Sequence, residues 1–159
     1  MKKTLLLLAA PALLLVACKK NDDTPPAPVS QRIVGAWMQT EDKTTTAVNG
    51  TANPEVDNMA NDPACAKDDL FNFLSNGMLV VTEGASKCRQ SDPDTVGRGF
   101  YSLISNDSQV IFKEADGSPL DTFNIVELSN STMRLQTKDS TNAGNSKVVV
   151  TNRLTYTRK

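Results

Sequence analysis

The feature that most constrains this fold is a succession of short apolar runs from Ile33 onward, each bounded by turn-forming residues and none long enough for a packed helix. The clearest pair is 70–74 and 78–82, which flank Ser75-Asn76-Gly77. An Asn-Gly between two apolar runs is a strong hairpin signal, because both residues tolerate positive φ. Met133-Arg134-Leu135-Gln136-Thr137 alternates apolar and polar, the period of a half-buried strand. With 35–40, 99–104, 109–113, 122–128 and the Val- and Thr-rich 147–156, the pattern predicts eight strands, preceded by a single helical turn near Ile33. Eight short strands joined by tight turns predict an all-β fold, an antiparallel up-and-down β-barrel in which closure removes the exposed edges. A two-sheet β-sandwich is the alternative. Two connections are long, 42–67 and 84–96, and connections of that length are usually functional or mobile.

The first residues obey a different logic. Met1-Lys2-Lys3 is followed by uncharged residues 4–16, rich in leucine. An apolar run of about 13 residues falls short of the roughly 20 needed to span a bilayer. A basic start, a short apolar centre and a small residue before the cut form a secretory signal peptide, here 1–17. Leu15-Val16-Ala17-Cys18 resembles the lipobox of bacterial lipoproteins. That resemblance implies that Cys18 carries a diacylglyceryl group and becomes the acylated first residue of the mature chain. Two or three acyl chains are needed for a stable anchor. Residues 18–30 then read as a lipidated N-terminus and tether, kept extended by Pro25, Pro26 and Pro28. Lys19 after the cysteine, rather than Asp, implies the outer membrane. Asp22-Asp23 is similar to a surface-export signal of Bacteroidetes lipoproteins, or is a solvated spacer.

With the signal gone, 142 of the 159 residues remain, enough for one domain at 31–159. Removing Lys2 and Lys3 leaves 15 basic and 18 acidic residues. No basic cluster of the kind that marks a nucleic-acid interface is present in the sequence. Cys65 and Cys88 then lie in an oxidising compartment, where disulfides persist. A bridge between them is the reading preferred over a metal or catalytic thiol pair, since the chain has no histidine.

The domain resembles the lipocalin-like lipoproteins of the Bacteroidetes over roughly residues 29–158. The likeness rests on Ile33-Val34-Gly35-Ala36-Trp37, Cys65-Ala66-Lys67-Asp68-Asp69, Phe73, Asn76-Gly77, Cys88, Gly99-Phe100-Tyr101, 123–128 and Met133-Arg134-Leu135. It implies a lipocalin-like barrel in which Trp37 is a core residue packed at the closed end against an arginine near the last strand. Arg153 and Arg158 are both candidates for that arginine.

No catalytic constellation is legible, and no enzyme, cofactor or metal is expected. Without histidine the usual general base and metal ligand are missing together. Asp68 and Asp69 read as a polar strand start beside the bridge. Glu55, Asp57, Asn58, Asn61 and Asp62 offer oxygens, but at no spacing of a calcium loop. Two functions are therefore expected, both for a monomer held to the membrane by its lipid. One is a barrel binding a small apolar or amphipathic ligand, with Phe71, Phe73, Phe100, Phe112 and Phe123 as the pool for its wall. The other is a non-enzymatic module contacting an envelope protein or glycan, its barrel filled by its own side chains.

Overall fold

The computed structural model describes residues 26–159, so the signal, Cys18 and most of the tether lie outside the described residues. A single turn, α1 (Val29–Arg32), leads into β1 (Gly35–Val48). The remaining elements are β2 (Thr51–Ala52), β3 (Val56–Asp57), α2 (Ala64–Lys67), β4 (Leu70–Phe73), β5 (Met78–Thr82), β6 (Thr95–Ile104), β7 (Gln109–Lys113), β8 (Pro119–Leu128), β9 (Thr132–Ala143) and β10 (Ser146–Arg158).

β1 and β4 to β10 form a closed, eight-stranded antiparallel barrel. Neighbours in space follow chain order from β4 to β10, and β10 closes onto β1 from Trp37–Arg158 to Val48–Val148. The Asn76-Gly77 hairpin forms as read, with Gly77 at φ +84 and the β4–β5 ladder running from Phe73–Leu79 to Leu70–Thr82.

The long connection after β1 is a correction to the sequence reading. Residues 42–48, taken as the start of a loop, continue β1, and β2 and β3 fold back onto its edge at Ala47–Ala52 and Lys43–Asp57. Thr44, Thr45 and Thr46 are β-branched residues suited to a strand, and the pairing available along β10 overrides the polarity that suggested a loop.

Period-two alternation decides what fills the barrel. Trp37, Phe73, Val110, Met133 and Leu135 are fully buried on the inner face, joined by Ile33, Tyr101, Phe123 and Tyr156. Their rings pack edge-on, Phe73 on Tyr101 at 5.0 Å, Phe71 on Tyr156 at 5.4 Å and Phe112 on Phe123 at 5.6 Å between centroids. Phe100 does not belong to this wall. Tyr101 takes the inward position, so its neighbour points outward and remains 38% exposed.

The barrel has two unlike ends. At one, α1, Ile33 and the turns after β4, β6 and β8 close over the aromatic core. At the other, β1, β9 and β10 run well past the four residues of β4 and the five of β5 and β7. They form an arm that rises above the rest of the rim.

Candidate binding surface at the open end

The apolar filling is capped at one level of the arm by polar inward residues, and Val150 and Val148 point inward again beyond that level. Thr44 on β1, Asn152 on β10 and Thr137 on β9 lie side by side in register, directly above Leu154 and Leu135. The Thr44 hydroxyl donates to Asn152 Oδ1 at 2.9 Å, and Asn152 Nδ2 donates to the Thr137 hydroxyl at 3.2 Å. Asn58, just past β3, extends the chain, its Nδ2 reaching Asp42 Oδ1 at 2.7 Å and Thr44 Oγ1 at 3.0 Å. The result is a hydrogen-bonded belt across three strands, from exposed Asn58 at the rim to Thr137, 5% exposed, at the core. A buried hydroxyl needs such a partner, because desolvation without one costs about 1–3 kcal/mol. Just beneath, Tyr156 is fully enclosed. Burial raises its phenol well above the ordinary value, and the charge of Asp42 adds to the rise.

The opposite, outer face of the arm carries an ion network. Lys43 Nζ lies 3.3 Å from both Glu41 and Glu55, and Arg153 Nη2 donates to Glu55 at 3.0 Å. The Thr155 hydroxyl donates to Glu41 at 2.7 Å and holds its carboxyl below the usual range, helped by Lys43 and Arg153. This network fastens the segment before β3 to β1 and β10. It also settles the choice between the two arginines. Arg153 pairs in register with Lys43 on the outer face, whereas Arg158 pairs with Trp37 and lies over its ring, 4.1 Å from the centroid. Arg153 is thus corrected from a barrel-closing residue to a clamp on the arm.

The two remaining cysteines are joined. The Cys65–Cys88 bridge ties α2 to the 83–94 connection, with Cα atoms 5.1 Å apart. Asp68, the residue capping α2, accepts from the backbone N–H and hydroxyl of Ser86 at 3.0 and 2.8 Å. Asp69 sits beside it, its carboxyl raised by burial and by the charge of Asp68. The pair therefore stands at a helix end rather than on a strand. Of the oxygen-rich residues in the first connection, Glu55 is spent in the ion network, Asp57 caps the Met59 N–H at 3.0 Å and Asn58 joins the belt. Two grooves of about 290 and 260 Å³ flank Met38 on the outside of the barrel, bordered by Met59 and Lys67 on one side and by Leu70 and Lys159 on the other.

Sequence reasoning found Trp37, the Cys65–Cys88 bridge and most of the aromatic pool, but missed the belt. Thr44, Asn152 and Thr137 come from three distant segments, and only the register of β1 on β10 on β9 brings them together. No protein-family model, curated protein or solved structure matches this chain. The class that geometry alone defines is a closed eight-stranded antiparallel barrel with two additional strands outside it.

Proposed function

We propose that this protein is a lipid-anchored, non-catalytic lipoprotein of the cell envelope, of lipocalin-like type, whose filled barrel is a scaffold and whose open end is its interaction surface. The anchor and outer-membrane placement rest on the Leu15-Val16-Ala17-Cys18 motif and on Lys19. The stacking of Arg158 on Trp37 supports the lipocalin-like assignment.

One observation carries the interaction reading. The inward positions of the closed half are occupied by packed aromatic and branched side chains, and the Asn58–Thr44–Asn152–Thr137 belt roofs them. A small apolar ligand in that half would have to displace close-packed rings and break a satisfied polar network, both costly. A macromolecular partner meeting the inner face of the arm, where Thr46 and Asp139 stand beside Val150 and Val148, needs neither.

Photo-cross-linking in intact cells tests this reading. A cross-linker at Thr46, on the inner face of the arm, is expected to give a discrete protein or glycan adduct, while one at Ser102, on the outer wall, gives none. Equal labelling from both positions, or none from Thr46, would contradict it.

A further inference from the structure

β9 pairs with β10 along its whole length, but with β8 only as far as Gln136. The Arg158 N–H donates to the Ser131 carbonyl across the first rung, at 2.9 Å. In an antiparallel ladder the bonding direction alternates, so odd-numbered residues of β9 turn their main-chain groups to β10 and even-numbered ones to β8. At Gln136 that carbonyl is met by the side-chain amide of Asn124, 3.3 Å away, where the two strands part. Beyond it the N–H and C=O groups of Lys138, Ser140 and Asn142 face no strand among the described residues. The other edge of the arm is treated differently, because β2 and β3 cover β1. β8 is also blunted along the split, since Asp121 Oδ1 takes the Thr122 N–H at 2.8 Å and Pro119 has none to give.

We infer that the bare edge at 138–142 is a strand-addition site for an extended segment of a partner protein, one carrying a basic residue immediately followed by an acidic one. This rests on the reading of the open end as an interaction surface, and it names the partner's chemistry. Asp139 shares the inner side with Thr137 and Leu135, and Asp121 stands across the split on the edge of β8. Lys138 lies on the outer side, with Lys147 further along, opposite Asn142. A strand added antiparallel places one residue opposite Asp139 and the next opposite Lys138. The order basic then acidic meets an opposite charge on each face, and the reverse order meets like charge on both. Main-chain hydrogen bonds supply the affinity in this mode of recognition, and the side chains supply the choice.

The test uses two synthetic peptides of Val and Thr, one with a central Lys-Glu and one with Glu-Lys, titrated against the full chain in detergent and followed by fluorescence anisotropy. The Lys-Glu peptide is expected to bind saturably and several-fold more tightly than its isomer. Ser140→Pro removes an edge donor that β10 does not use, and proline is tolerated at such edge positions. It should unfold cooperatively yet bind at least about tenfold more weakly, the loss of one or two charge-supported edge bonds. The double variant Lys138→Glu/Asp139→Lys should reverse the preference between peptides. Equal binding of both peptides, unchanged binding by Ser140→Pro, or no saturable binding at millimolar peptide would overturn the inference. A partner cross-linked at Thr46 while neither peptide binds would overturn the edge site and leave the interaction surface standing.

Discussion

Arg158 closes the barrel by lying over Trp37 while its guanidinium donates to the carbonyls of Val34, at 2.9 Å, and Arg32. The Trp37 indole N–H in turn donates to the Ile33 carbonyl at 2.8 Å. One cation thus ties the last strand to the segment entering the first. Gly35 is required beside it, because at φ +140 the backbone is open to glycine and a Cβ there would collide with the Arg158 guanidinium.

Arg158→Ala removes a cation–π contact of about 1 kcal/mol and charge-assisted bonds of about 1.5–3 kcal/mol each, partly replaced by water. A loss near 3 kcal/mol is expected in urea unfolding. Arg153→Ala, on the half-exposed outer network, should cost no more than about 1 kcal/mol. Equal effects of the two would contradict the assignment.

The bridge between Cys65 and Cys88 closes a loop with a sequence separation of 23. Replacing both by alanine should lower stability by about 3 kcal/mol on the chain-entropy view. The native protein should show no free thiol, and a linked peptide should appear in a non-reducing digest. Two titratable thiols in freshly isolated protein would contradict it.

The lobe around that bridge should respond to pH in a direction set by Asp69. Burial, then the Asp68 charge, raises its carboxyl against a lowering bond from the Gly84 N–H. Glu83 is raised as well, by burial, Asp69, Asp92 and Asp68, with Lys87 opposing. An acid whose folded pKa exceeds its unfolded value of about 4 binds more protons when folded, so its stabilisation is lost as pH rises between the two values. Amides of α2 and of 83–94 should therefore exchange more slowly at about pH 4, the unfolded value, than at neutral pH, after correction for intrinsic exchange. Asp69→Asn should flatten the difference. Glu41 has the opposite sign, and its contribution is lost only as pH falls through its lowered folded value.

Most of the fold was legible in local pattern, and most of the candidate site was not. The Asn76-Gly77 turn and the alternation of 133–137 each depend on a few adjacent residues, which is why they could be read, whereas the place of Trp37 was expected from the family resemblance alone. Phe100 was misplaced because Phe100-Tyr101 offers two aromatics to one inward position, and only pairing decides which takes it. Residues 42–48 were misread because a polar, threonine-rich strand at an open rim lacks the apolar alternation that marks a buried one. The belt and the bare edge of β9 depend on register between distant strands, which no local window contains.

Asn152 is the centre of the belt, bonded to both Thr44 and Thr137. Asn152→Ala should cost about 1–3 kcal/mol by leaving the two hydroxyls short of partners, while Asn152→Ser should recover part of it. Denaturant unfolding checks both. A neutral Asn152→Ala would mean that the belt does not hold the arm over the core.

Cys18→Ala should leave the precursor uncut by the lipoprotein peptidase and free of labelled palmitate. A variant that still takes up palmitate and still fractionates with membranes would contradict the anchor.

Native mass spectrometry of the full chain, extracted from envelopes in mild detergent, tests most directly whether the barrel is a filled scaffold. The expected spectrum is the acylated chain alone, with no small molecule released on unfolding. A stoichiometric apolar ligand that leaves only when the barrel unfolds would contradict the filled interior and the interaction reading built on it.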